Sequence, residues 1–218
     1  MVNKQALKEI DNTCKRYNAQ LVAVTKKRSI EEVAELYELG YRVFAENRVQ
    51  DLLEKKELLP NNIQWHLIGH LQRNKVKYIV PFVKLIHSVD SIRLLSEINK
   101  EAKKVNKTID CLLQFHVAQE ESKYGIAPEN IDAFMSDLKT IEIDNIKIRG
   151  IMGMASFTDN QNQIRKEFEQ LKSIFEMLKK EYLKEDNFSI LSMGMSSDYK
   201  IALEEGSTLV RVGSALFE

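Results

Sequence analysis

Two hydrophobic rhythms alternate along the chain. Short runs of apolar and β-branched residues read LVAVT, RVF, IQWHLIG, KLIHSV, CLLQFHV, IKIRGIM, FSILSM and TLVRVG. Between them, apolar positions recur every three or four residues over Ile30–Leu39, Val49–Leu58, Asn74–Val80, Ile92–Val105, Pro128–Leu138, Ile164–Tyr182 and Ser197–Glu205. The first kind predicts strands and the second amphipathic helices. The clearest stripe is Ile164, Phe168, Leu171, Ile174, Phe175, Leu178 and Tyr182. Ahead of the first strand, Ala6, Leu7, Ile10, Cys14 and Tyr17 fall at helical spacing, so the chain opens with an extra helix.

Strands that alternate with helices pair in parallel through right-handed crossovers. Eight such strands in 218 residues predict an α/β fold of one kind, a single (β/α)8 TIM barrel preceded by the N-terminal helix. The rival, an open doubly wound sheet, wants a glycine-rich turn after its first strand. Here that turn reads Val24-Thr25-Lys26-Lys27-Arg28, without glycine. Three prolines, eight glycines and no low-complexity stretch leave one domain over residues 1–218 as the simplest division.

Charge narrows the partners. The chain carries 32 basic and 32 acidic side chains, which gives no electrostatic case for nucleic acid or an anionic membrane surface. No apolar run is long enough to span a bilayer, and MVNKQALKEIDNTCKRYN lacks the apolar core of a signal peptide, so a cytoplasmic protein is expected. Cys14 and Cys111 are too few for a disulfide framework and read as buried free thiols.

In a barrel of this kind chemistry gathers where the strands end. The residues falling there are Lys26, Glu46 and Asn47, His66, Gly69 and His70, His87 and Asp90, then Gln119, Ser122, Lys123 and Gly125, and finally Gly153 and Met154. Gly194, Ser196 and Ser197 follow the seventh strand, and Gly213 and Ser214 the eighth. Barrels often hold phosphate with these last two loops, through backbone N–H groups at a helix start. Small residues let the backbone approach an anion, and hydroxyls add donors. The plainer alternative makes Ser196 or Ser197 a helix N-cap and Gly213 a turn residue. Lys26, directly after an apolar strand, would project its amine into the barrel mouth, where desolvation frees a lone pair for attack on a carbonyl. Arg211 interrupts an apolar strand and therefore wants an anion, a carboxylate or another acceptor.

Other features have quieter readings. His66 and His70 have a metal-like spacing, but their strand–loop setting favours local hydrogen bonds. Met152, Met154, Met193 and Met195 read as packing residues, and Arg73, Lys75 and Lys77 as a solvated face.

The segments VAVTK (22–26), EN (46–47), WHLIGHLQRNK (65–75), SKYG (122–125), GIMGM (150–154), LSMGMSSD (191–198) and GSTLVRVGSALF (206–217) run in order through nearly the whole chain. Together they closely resemble the pyridoxal phosphate homeostasis protein family, whose barrel is similar to the N-terminal domain of alanine racemase. The resemblance implies that pyridoxal 5′-phosphate is held as a Schiff base on Lys26, with Asn47 beside the ring near its phenolic oxygen. It implies further that Ser196, Ser197, Gly213 and Ser214 cradle the phosphate, and that Arg211 faces the pyridine nitrogen or the phosphate. The chain departs from the family pattern at Ala45 and Ser214, where glycine and threonine are commoner, and at Ser156, where proline is frequent; none of the three removes a cofactor ligand.

The resemblance also bears on turnover. Racemisation needs proton carriers on both faces of the cofactor, and alanine racemases bring the second, a tyrosine, from another domain. This chain ends at Glu218, just past the eighth strand, so a second domain is not expected. An arginine facing the ring nitrogen would also weaken the cofactor as an electron sink. The expectation is a monomeric, non-catalytic carrier in vitamin B6 homeostasis, meeting amino acids and apo-enzymes that use the cofactor. The alternative is a small single-domain racemase or lyase.

Overall fold

A computed structural model describes residues 1–119, 124–183 and 187–217; Ser122 and Lys123 lie outside the described residues. Eight parallel strands close in sequence order into a barrel: β1 (Gln20–Val24), β2 (Val43–Glu46), β3 (Gln64–Leu67), β4 (Leu85–Val89), β5 (Ile109–Gln114), β6 (Ile146–Met152), β7 (Ile190–Ser192) and β8 (Leu209–Val212). Closure is made by β1 against β8, in the register Leu21↔Val210, Val22↔Arg211 and Ala23↔Val212. The predicted TIM barrel is the fold observed, and the open sheet is not.

The helices are α1 (Lys4–Arg16), α2 (Ile30–Glu38), α3 (Val49–Leu58), α4 (Val76–Ile79), α5 (Ile92–Lys104), α6 (Ile131–Leu138), α7 (Gln161–Glu181) and α8 (Tyr199–Glu204). Caps fix where they start. Asn3 accepts from the Ala6 N–H, and Ser29 forms a reciprocal capping box with Glu32 at α2. The hydrophobic stripe placed the start of α7 at Ile164, but the helix begins at Gln161 because Asn160 accepts from the Gln163 N–H. The start of α8 moves the other way, from Ser197 to Tyr199. There Asp198 turns its carboxylate onto the Met195 N–H at 2.5 Å, closing a turn over residues 195–198 before the helix begins.

Side-chain alternation sorts the core into two layers. Val22, Val24, Ala45, Leu85, Leu112, Met152 and Leu209 fill the barrel interior. Leu21, Ala23 and Phe44, one residue out of step, belong instead to the larger apolar layer between strands and helices, with Leu36, Leu52, Phe168 and Leu178. Both cysteines are buried in that outer layer; burial pushes the Cys14 thiol up to about 11 and raises Cys111 as well, so neither is a ready thiolate. Among the described residues, no helix is long and apolar enough to cross a membrane.

Candidate functional site

The ends of β1, β2, β7 and β8 meet at one side of the barrel mouth. Lys26 lies two residues past Val24, in a turn closed by the Arg28 N–H on the Thr25 carbonyl at 3.0 Å. It shares the parity of the interior residues Val22 and Val24. Its side chain is exposed, so the desolvation expected of it is not supplied by the protein fold. Asn47 follows β2 and is half-buried. Its backbone is pressed against Gly69, where a Cβ would come within 2.1 Å of the Asn47 carbonyl oxygen; any side chain at 69 would displace the Asn47 loop.

The two phosphate-loop candidates touch. Ser196 Oγ accepts from the Gly213 N–H at 3.1 Å and the Ala215 N–H at 3.4 Å. Ser196 therefore ties the loop after β7 to the loop after β8 and does not cap α8. Ser197 and Ser214 stand exposed beside this junction. Gly194 makes the turn possible: its φ is +94°, and a Cβ would meet Ala202 Cβ at 2.6 Å. At six residues α8 is too short to serve as the helix N-terminus that the sequence suggested, and the Gly213 and Ala215 N–H groups of the neighbouring turn are taken by Ser196 Oγ. Gly213 also lies against β1, with its Cβ position 3.1 Å from the Val24 carbonyl oxygen. That contact sets the Ser196–Gly213 junction two residues from Lys26.

Arg211 does not find the carboxylate partner that its place in an apolar strand allowed. Its Nη1 donates to the Ser192 carbonyl at 2.8 Å and to Ser192 Oγ at 2.6 Å, and its Nη2 to the Gly153 carbonyl at 2.9 Å. Burial pushes it down to about 10, with Asp198 opposing, so it is a cation at neutral pH. Ser192 Oγ in turn lies 3.2 Å from His87 Nδ1, and His87 Nε2 lies 3.1 Å from His66 Nδ1. His66 thus pairs with His87 and not with His70, which is exposed and stacks on the Tyr124 ring at 4.1 Å. Among the described residues no cluster of three or more His, Cys, Asp or Glu side chains is arranged to hold a metal.

One support of the site was missed in the sequence. Lys55, on α3, is buried and donates to Glu46 Oε1 at 2.5 Å and to the Thr25 carbonyl at 2.6 Å. Thr25 Oγ1 donates to the same carboxylate oxygen at 2.6 Å. This buried ion pair fixes the residue immediately before Lys26. The signal was present: Lys55 occupies the buried stripe of α3 with Val49 and Leu52, where an unpaired charge is costly. Ser156, noted in the sequence only as a departure from the family pattern, ties the loop after β6 to α7: its N–H and hydroxyl donate to the Glu167 carboxylate at 2.6 and 2.8 Å while its Oγ accepts from the Gln119 N–H at 2.9 Å. A proline there would have no N–H to donate.

The Ser196 junction with the Gly213 and Ala215 N–H groups, the exposed Ser197 and Ser214, Lys26 two residues past the β1 contact and the buried Arg211 guanidinium on the adjoining strand all lie at the same end of the barrel. The chain matches the family described as "Alanine racemase, N-terminal domain" over residues 4–218, which defines the class of barrel. The protein of Aquifex aeolicus called "Pyridoxal phosphate homeostasis protein" is 39% identical over 221 residues, covering 98% of this chain and 94% of that protein. A protein of the same name from Helicobacter pylori is 36% identical over 201 residues, covering 91% and 87%. This chain belongs to the pyridoxal phosphate homeostasis protein family. Among solved structures, PipY of Synechococcus elongatus without PLP superposes with a TM-score of 0.90 at 31% identity, covering 98% of this chain and 99% of that one. The form of PipY with PLP bound gives 0.87 at the same identity and coverage. Alanine racemase from Bartonella henselae, at 16% identity and a TM-score of 0.71, shares the fold.

Proposed function

We propose that this protein binds pyridoxal 5′-phosphate at the barrel mouth and serves its homeostasis, holding the cofactor without catalytic turnover. The observation that carries the reading is the seam between β1 and β8, which sets the Gly213 and Ala215 N–H groups and Ser196 two residues from Lys26. The names of the relatives and the bound PLP of PipY support it.

In this arrangement Ser196, Ser197, Gly213 and Ser214 would receive the phosphate, and Asn47 would flank the ring. Lys26 Nζ would bond to the aldehyde carbon as a Schiff base, with loss of one water. Bound pyridoxal phosphate supplies an electrophilic carbon for amines and an electron-withdrawing ring. Arg211 presents donors only, so it accepts no proton in any turnover. Borohydride treatment of the loaded protein, followed by peptide mapping, should place the reduced cofactor on Lys26, and Lys26→Ala should lose the visible absorbance band while keeping its fold. Label on Lys27 or Lys75, or a band that survives in the alanine variant, would overturn the assignment.

The absence of turnover has its own test. A positioned general acid–base contributes roughly 10²–10⁴-fold, and Lys26 gives this site one such group on one ring face. Exchange of the Cα proton of several amino acids for deuterium should therefore run close to the rate with free cofactor, without enzymatic inversion. Fast exchange with inversion, abolished by Lys26→Ala, would establish the small racemase instead.

A further inference from the structure

Four polar side chains from four strands form a line across the barrel lumen: Arg211 on β8, Ser192 on β7, His87 on β4 and His66 on β3. All four are buried, with His87 and Ser192 fully so. The step from β4 to β7 joins strands that are not neighbours in the sheet. Barrel interiors are ordinarily filled by branched apolar residues, and polar atoms buried there are tolerated when each donor meets an acceptor.

That requirement gives the line a direction. The Arg211 guanidinium has donors and no acceptor, so Ser192 Oγ receives its N–H at 2.6 Å. The Ser192 hydroxyl hydrogen then points to His87 Nδ1, 3.2 Å away. His87 must carry its proton on Nε2, which donates to His66 Nδ1 at 3.1 Å. His66 in turn carries its proton on Nε2. With the opposite polarity, His87 Nδ1–H would donate to Ser192, and the hydroxyl hydrogen would have no acceptor among the described residues. Burial keeps both rings neutral, reinforced at His87 by His66 and the Arg211 cation and at His66 by Lys84.

We propose that His66, His87 and Ser192 are a one-way hydrogen-bond strut that holds Arg211 in register, making His87 and Ser192 positioning residues for the cofactor site. The proposal rests on the reading that Arg211 meets the cofactor, but the polarity of the strut does not. Ser192 receives two bonds from Nη1, one on its carbonyl and one on its hydroxyl, so a hydroxyl turned the wrong way would release half of that grip. Glutamine at 87 keeps an acceptor for Ser192 and a donor for His66, whereas leucine keeps neither.

Ring-nitrogen 15N spectra of the wild-type protein, free of cofactor, test the polarity. Both histidines are expected as Nε2–H tautomers with bare Nδ1; Nδ1–H on either ring would overturn the strut, whatever the protein binds. Binding of pyridoxal phosphate then tests the positioning. His87→Leu should weaken retention about tenfold or more and shift the visible absorbance maximum, since a hydrogen bond to a charged group is disturbed. His87→Gln should restore both. A leucine variant that loses thermal stability but keeps wild-type affinity and spectrum would show a structural role only and refute the positioning. Should His87→Leu fail to fold, Ser192→Ala supplies the same comparison. Failure of the wild-type protein to bind pyridoxal phosphate would strike the proposed function and leave the tautomer result standing.

Discussion

Lys55→Met is expected to destabilise the protein by about 3–5 kcal/mol, the range for breaking a buried ion pair and leaving one charge behind. Glu46 is fully buried, and its Oε2 has no hydrogen-bond partner among the described residues, so the carboxylate depends on Oε1, which takes Lys55 and Thr25 together. Methionine fills most of the lysine stem but leaves that carboxylate without a cation and the Thr25 carbonyl with one donor fewer. Because that carbonyl also closes the turn at Lys26, cofactor retention should fall alongside stability. The double variant Glu46→Gln/Lys55→Met removes the stranded charge and keeps an acceptor for Thr25. It should recover a large part of the loss, as replacing both members of a buried pair often does. Urea unfolding of wild type, single and double variants measures this. A single-variant effect below about 1 kcal/mol, the range of exposed pairs, would show that water reaches the pair.

The fold was legible because each strand and helix carries its own period. Val49–Leu58 was placed correctly at both ends, since its apolar stripe fills the helix. The starts of α7 and α8 were not, since Asn160 and the Asp198 turn decide them through side-chain bonds that periodicity does not register. In the candidate site, residues that break a local pattern stood out: Lys26 after an apolar run, Arg211 within one, and serines with glycine in two late loops. What those residues touch could not be read. Whether Ser196 caps a helix or bridges to Gly213 depends on how the loops after β7 and β8 meet, and His66 finds His87 through the pairing of β3 with β4. The chain also answered the buried charge of Arg211 in an unanticipated way, with backbone carbonyls of β7 and the loop after β6.

Acid is expected to weaken this protein well above the range where carboxylates protonate, and the two lumen histidines are the cause. Burial, with Lys84 adding to it, pushes His66 down to about 3; burial, with His66 and Arg211 adding to it, holds His87 well below its usual value. In the unfolded chain each takes a proton near pH 6.5. Between those limits the unfolded state binds protons that the folded state refuses, so stability is complete above about pH 6.5 and falls as the pH drops. From pH 7 to pH 5 the loss is about 2 kcal/mol for His66, and His87 adds a loss of the same sign. Asp198 acts in the opposite sense, because burial raises its carboxyl above the usual carboxylate value, but it is one group against two. Urea midpoints at pH 7 and pH 5 should separate accordingly. His87→Gln, which preserves the hydrogen bonds and removes one titrating ring, should show a smaller separation. Equal midpoints in the wild-type protein would mean that the folded lumen accepts protons, and the neutral histidine line would have to be abandoned.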